Sequence, residues 1–389
     1  MATNHLQEIQ EYGQSIWIDN LTRDIIQSGE LKNLVANQGI SGITSNPAIF
    51  EKAIANNAIY DADIEAGVRA QLPTYKIYES LVFADIRNAA DILRPVYEAS
   101  NGVDGYVSIE VPPTIAHDTQ ATINEARRYF REIGRENIMI KIPGTESGLP
   151  AVEQVIADGI NVNITLLFSV QSYINTAWAY IRGLEKRVAE GKDISKIASV
   201  ASFFLSRIDS NIDAKIDAKL QRGVDDINLE AKLTAVKGKV AIANAKIAYQ
   251  EYKKIIESVS EAAPLGGRWQ ALAAKGAKVQ RLLWASTSTK DPHYSDVMYV
   301  DELIGRDTVN TLPPSTIAAC IDHCDVGDRL ETKLKEAYQL IESLKDPDIN
   351  IDINTVMDEL LIEGIDKFVQ PFQSLMNSLE NKVKLLSPV

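Results

Sequence analysis

Six short segments of the chain set reactive side chains beside apolar ones. Asp19 ends Trp17-Ile18-Asp19, and Thr44 and Asn46 bracket Ser45. Ser108 and Glu110 alternate with Val107, Ile109 and Val111; Lys141 lies between Ile140 and Ile142. Asn163 and Thr165 alternate with Ile164, Leu166 and Phe168, and Ser202 and Phe204 flank Phe203. In an extended chain successive side chains point to opposite faces. Each segment therefore gathers its polar members on one face, and Asp19 falls on the face of Trp17. A lysine, two carboxylates and several hydroxyls and amides gathered at one rim suit carbon–carbon bond chemistry. Desolvation disfavours the charged form of an amine, and a neutral amine attacks a ketone to give an iminium. The iminium draws electrons from the neighbouring carbon–carbon bond. Cleavage needs a group that takes the hydroxyl proton and later returns it. Asp19 and Glu110 are the carboxylates on the shared face, and Thr165 is placed to position a water between them.

Taken singly, these residues have plainer readings. Asp19 suits a turn or a helix cap, and Asn46 before Pro47 is a good turn former. A strand-end lysine often reaches out to solvent. Glu110 resists such a reading, because an unpaired buried carboxylate is costly. Their joint occurrence on one face favours chemistry. Metal-assisted aldol chemistry is the rival. The histidines His5, His117, His293 and His323 are scattered and show no ligand pair at metal spacing. A carboxylate-held magnesium remains open. Neither a Ser-His-Asp arrangement nor a phosphate-binding glycine loop is present, so no cofactor is expected and no metal site is assigned.

The elements that must hold these groups are eight apolar or β-branched runs: Ser15–Asp19, Ile40–Asn46, Gly105–Val111, Ile138–Pro143, Val162–Phe168, Ala198–Leu205, Val279–Ser286 and Thr308–Leu312. Most gaps between them carry helical patterns, as in Val82–Leu93 and Thr122–Ile133. Alternating strands and helices imply parallel pairing, and eight such units imply an α/β fold of the (β/α)8 TIM-barrel type. A doubly wound open sheet competes, but G-x-G-x-x-G does not follow the first run. In a barrel the apolar face packs outward on helices, so the polar face looks inward at the catalytic end. The chain reads as one barrel domain over residues 1–389 with two additions. Asp209–Ala277 is a helical insertion, bounded internally by Gly238 and Gly266-Gly267. Thr316–Val389 is a helical C-terminal extension broken at Pro347–Ile351.

A length of 389 residues suits such a barrel with insertions. The net charge of −13 argues against nucleic acid or an anionic membrane as partner, and means that an anionic substrate needs a local cationic pocket. Cys320 and Cys324 read as free thiols of a reducing cytoplasm. The opening Met1-Ala2-Thr3-Asn4-His5 lacks the pattern of a signal peptide, and no apolar run is long enough for a membrane span.

Five segments carry a family resemblance: Trp17-Ile18-Asp19, Gly42-Ile43-Thr44-Ser45-Asn46-Pro47, Val107-Ser108-Ile109-Glu110-Val111, Ile140-Lys141-Ile142-Pro143, and Gly159-Ile160-Asn161-Val162-Asn163-Ile164-Thr165-Leu166-Leu167-Phe168-Ser169. Through essentially its whole length the chain resembles the longer bacterial branch of the transaldolase family. The resemblance implies a class I aldolase-type barrel with the Schiff-base lysine, Lys141, on the fourth strand. It implies Asp19 as the proton-transfer residue, and Glu110 and Thr165 as holders of a catalytic water. Thr44, Asn46, Asn163 and Ser202 would bind the sugar chain, and Arg207 and Ser286 the phosphate. Arg207 suits that task as a bidentate donor, although an ion pair with Asp209 or Asp213 is the plainer reading. Shorter members carry an arginine two residues after the seventh-strand serine; here Ser288 stands there, and Lys290 is the nearest cation. Phe204 would line the site without offering a proton, where related fructose-6-phosphate aldolases have tyrosine. The implied substrates are sedoheptulose 7-phosphate, fructose 6-phosphate, glyceraldehyde 3-phosphate and erythrose 4-phosphate, in the pentose phosphate pathway. A simple aldolase of the same superfamily and a non-catalytic phosphosugar-binding barrel are the alternatives, and no oligomeric state is implied.

Overall fold

β-Branched and aromatic side chains fill eight short strands, and in the computed structural model every strand residue is buried. The strands are β1 (Gln14–Ile18), β2 (Ile40–Ile43), β3 (Tyr106–Glu110), β4 (Ile138–Pro143), β5 (Val162–Leu167), β6 (Ser199–Phe204), β7 (Arg281–Ala285) and β8 (Thr308–Leu312). They pair in parallel in sequence order, and β8 returns to β1 through Gln14↔Thr308 to Ile18↔Leu312, so the sheet closes as a (β/α)8 barrel. The structure describes residues 4–55, 57–222, 226–257 and 267–386. Gly266, the opening Met1–Thr3 and the last residues of the expected extension, 387–389, lie outside the described residues.

The outer helices take their bounds from local chemistry. Thr119–Ile133 starts where the Asp118 side chain accepts from the Ala121 N–H and stops at Gly134 in the left-handed region. Its Ile123, Ala126, Tyr129 and Ile133 face the core. Thr74–Ala99 contains the expected Val82–Leu93 and runs well beyond it. Between β6 and β7 stand the helices Ser206–Leu220, Ile227–Val236, Val240–Glu257 and Arg268–Ala273. After β8 come Pro314–His323, Leu334–Ser343 and the 34-residue helix Ile353–Leu386, here called the C-terminal helix. Among the described residues, no helix is long and apolar enough to cross a membrane.

Several expectations are corrected at their edges. Asp19 lies one residue beyond β1, and it caps no helix: Thr22 caps Arg23–Gln27, its hydroxyl accepting from the Ile25 N–H at 3.3 Å. β2 ends at Ile43, because the chain turns there so that Asn46 caps the helix Pro47–Ile54. Proline at the first helical position fits, since its missing N–H would have no intrahelical partner. The strict alternation in β5 fails at Leu166. The β5–β6 register slips between Ile164 and Leu167, and Leu166 has φ +60°. A bulge of this kind re-aims side chains, and Leu166 meets the C-terminal helix at Gly364 instead of facing outward. The break in the extension is wider than Pro347–Ile351, spanning everything between Ser343 and Ile353. Cys320 ends up inside Pro314–His323 and Cys324 just past it, both buried free thiols.

Candidate active site

The inward faces of the strands form a hydrogen-bonded interior. Asn163 Nδ2 donates to Ser108 Oγ at 3.1 Å, and Ser202 Oγ donates to Asn163 Oδ1 at 2.7 Å, linking β3, β5 and β6. On the other side Thr44 Oγ1 donates to Asp19 Oδ1 at 2.7 Å and lies 2.6 Å from Thr311 Oγ1. At the opposite, N-terminal end, Arg281 ties Ser15, Val103 O and Asp104 together, and Trp17 Nε1 donates to Asp104 at 2.9 Å. The Trp17 ring lies so close to β2 that a Cβ on Gly42 would stand 2.4 Å from it.

Lys141 occupies the mouth, with only 4% of its surface exposed. Its Nζ donates to Ser45 O at 3.3 Å and stands 3.9 Å from Glu110 Oε2. The β3–β4 register, which pairs Glu110 with Lys141, fixes this neighbourhood. Neither Glu110 oxygen has a hydrogen-bond partner in the protein, and the buried Thr165 hydroxyl has none either. Burial pushes the Glu110 carboxyl up to about 7, against the pull of Lys141 and Arg207. Burial also lifts Asp19 above its ordinary range, opposed by Lys141, the Thr44 hydrogen bond and Arg207. The mouth thus sets an amine near two carboxyls whose pKa values burial raises, an arrangement suited to forming an imine and moving a proton beside it.

Asn46 follows Ser45, and its side chain is engaged as the cap of Pro47–Ile54, accepting from Ile49 N–H at 3.0 Å. Phe204 lies below Arg207, whose Cζ is 5.2 Å from the ring centroid. Arg207, Ser286 and Lys290 line one cavity of about 470 Å³ together with Ser206, Leu360, Glu363 and Lys367. Ser206 and Ser286 approach through their hydroxyls at 2.8 Å, and Ser206 N donates to Ser286 O. Ser286 holds φ +56°, a strained conformation of the kind that gathers at binding sites. Lys290 Nζ donates to Ser288 Oγ at 2.6 Å; burial, then Arg207 and Lys52, lowers its pKa.

Arg207 forms no ion pair with Asp209 or Asp213. Residues two apart on a helix face opposite sides. Asp209 instead accepts from Ala241 N–H and the Tyr299 hydroxyl, and Asp213 from Gly238 N–H and the Tyr294 hydroxyl. The pattern reading also passed over functional neighbours. Thr311 was not legible from alternation: it shares a face of β8 with Val309, while Thr308 and Asn310 lie on the other face, yet it is Thr311 that meets Thr44. Nor was Phe368: its ring centroid lies 5.6 Å from Lys141 Nζ and 5.9 Å from Arg207 Cζ, although it stands far along the chain in the C-terminal helix. A larger cavity of about 530 Å³ lies between Val240–Glu257 and Leu334–Ser343 and includes none of these mouth residues.

A family model described as Transaldolase/Fructose-6-phosphate aldolase matches residues 16–379. Transaldolase 2 of Nostoc sp. is 86% identical over 389 residues, covering 100% of both chains. Transaldolase of Trichodesmium erythraeum is 70% identical over the same 389 residues, again 100% of both chains. Transaldolase of Mycobacterium leprae is 40% identical over 380 residues, 97% of this chain and 96% of that one.

Proposed function

Since this chain belongs to the transaldolase/fructose-6-phosphate aldolase family, we propose that it carries dihydroxyacetone from sedoheptulose 7-phosphate to glyceraldehyde 3-phosphate, giving erythrose 4-phosphate and fructose 6-phosphate, through a Schiff base on Lys141. The observation that carries this reading is the enclosed Lys141 amine, 3.9 Å from Glu110 and close enough to Asp19 to act on its charge, with Asp19 held by Thr44.

Lys141 attacks the donor ketone, and loss of water leaves an iminium. Asp19 takes the proton from the hydroxyl beyond the scissile bond; that bond breaks, and the aldose departs. The electron pair moves into the iminium, leaving an enamine on the lysine. The enamine carbon then attacks the acceptor aldehyde, whose oxygen takes its proton from Asp19. Water hydrolyses the new iminium and frees the ketose. Glu110 and Thr165 hold the water used in these imine steps, a role that suits two buried polar groups with no partner in the protein. Thr44, Asn46, Asn163 and Ser202 bind the sugar chain. Phe204 walls the fragment without an ionisable group. The phosphate sits in the cavity of Arg207, Ser286 and Lys290, where the N-terminus of Ser206–Leu220 adds its dipole. We place the reaction in the cytoplasm, in keeping with two reduced thiols.

Borohydride reduction with fructose 6-phosphate, followed by peptide mapping, tests the mechanism. A three-carbon adduct on Lys141, absent in Lys141→Ala, is the expected result. Label confined to any other lysine overturns it. Free dihydroxyacetone as the main product, with Lys141 labelled, would mark a simple aldolase.

A further inference from the structure

The C-terminal helix Ile353–Leu386 follows the last strand, yet its Gly364 and Phe368 meet residues of the mouth. Its Leu360, Gly364, Phe368 and Phe372 recur every four residues and so form one seam. Gly364 lets the backbone approach closely. A Cβ there would stand 2.9 Å from Leu166 Cδ2 and 3.5 Å from Arg207 Nη1. One turn on, Phe368 enters the site, 4% exposed, with the amine of Lys141 and the guanidinium of Arg207 both near its ring. One turn further, Phe372 anchors the helix edge-on against Tyr78, with ring centroids 5.6 Å apart. Glu363 and Lys367, paired at 3.0 Å, face the phosphate cavity from the same helix.

Resting on the Schiff-base reading above, we propose that Phe368 is a specificity-determining residue: it shields the lysine-bound enamine from solvent protons, so that the fragment is transferred and not released. Two routes leave the enamine. In one, a carbon–hydrogen bond forms from a solvent proton, the nitrogen becomes an iminium, and water then breaks the carbon–nitrogen bond to release dihydroxyacetone and the free amine. In the other, a carbon–carbon bond forms to the acceptor aldehyde, Asp19 gives its proton to the aldehyde oxygen, and the same hydrolysis frees the longer ketose. Hydrolysis is common to both, so the ratio of free dihydroxyacetone to transferred product reports protonation of the enamine against its capture by the acceptor, and the borohydride readout reports access to the lysine-bound fragment separately. The phenyl ring, its centroid 5.6 Å from Nζ, packs against the amine on which the enamine forms, and its burial leaves little room there for water. The same ring meets Arg207, so the shield and the phosphate site are joined.

The test compares wild type with Phe368→Leu and Phe368→Ala, given fructose 6-phosphate and a fixed concentration of erythrose 4-phosphate. The readouts are the product ratio and the rate at which borohydride traps the imine on Lys141. Phe368→Ala is expected to raise both several-fold. Phe368→Leu, which keeps most of the apolar volume, should raise them less, and it carries the test if Phe368→Ala does not fold. A residue that merely holds the helix in place would lower the melting temperature and the overall rate while leaving the ratio alone. An unchanged ratio in a folded variant whose Lys141 still takes the label overturns the proposal. Absence of label on Lys141 in the wild type removes the Schiff-base reading, and this proposal with it.

Discussion

Glu110 is a carboxyl in direct reach of an amine, yet it forms no hydrogen bond within the protein. With its pKa pushed up to about 7 by burial, it changes charge near neutrality. If its ionised form organises the water of the imine steps, kcat/KM must fall on the acid side of neutrality. Glu110→Gln is expected to remove that acid limb and to lower the rate by roughly 10²–10⁴-fold, the usual worth of a positioned acid–base group. A pH profile with the wild-type inflection intact in the variant would assign the titration to another residue. At this scale the sequence was informative wherever a strand's parity of two applied. Lys141, Glu110, Asn163 and Ser202 follow from alternation alone, and they meet as alternation requires. The rule fails at Leu166, where a positive φ turns the chain out of register. It is silent about Phe368, whose neighbours in space are far away in sequence.

Among the elements, the insertion between β6 and β7 is fastened by two aspartates one turn apart on Ser206–Leu220. Asp209 accepts the Ala241 N–H at the start of Val240–Glu257, and Asp213 accepts the Gly238 N–H just before it. Asp209 satisfies an amide that a helix start leaves unpaired, and Asp213 holds the turn that leads into it. Burial pushes the Asp209 carboxyl up to about 7, well above the value of an unfolded aspartate. The folded protein therefore holds a proton between about pH 4 and 7 that the unfolded chain has released. This contribution to stability is fully present below the unfolded value and is lost as pH rises through about 7. Its slope is at most about 1.4 kcal/mol per pH unit for a single proton. Asp209→Asn keeps an oxygen for Ala241 but cannot ionise. Denaturant melts of the variant across this range should show a shallower fall in stability with rising pH than wild type, and identical slopes would place the proton elsewhere. Lengths of elements were harder to read than their kinds. Asn46 ends β2 because its side chain caps the next helix, a preference that competes with strand propensity over the same residues. Gly364 did leave a signal, since glycine inside a long helix costs about 1 kcal/mol relative to alanine and calls for a packing reason.

For the molecule as a whole, the cavity of Arg207 and Lys290, where Lys367 is paired with Glu363, is set in a chain of net charge −13. The field of the surface opposes a phosphorylated substrate until it reaches the mouth, so affinity rests on these local groups. The barrel architecture was legible from eight alternating units, while its covering by the C-terminal helix was not, because no periodicity tells a helix where to lie. Closure of the sheet has a further consequence. Gln14 and Thr308, which touch across the β1–β8 seam, are 294 residues apart in the chain. On a ribosome adding about 5–20 residues per second, roughly 15–60 s pass between the emergence of one and of the other. Throughout that interval β1 has an unpaired edge, the kind of surface on which nascent chains associate. A chain stopped after Glu302, which lacks β8, should therefore form aggregates that light scattering detects, whereas a soluble, monomeric product would mean that seven strands can seal themselves. In the full-length chain, the long wait for β8 makes barrel closure a natural point at which a chaperone that binds growing chains would govern the yield of active enzyme.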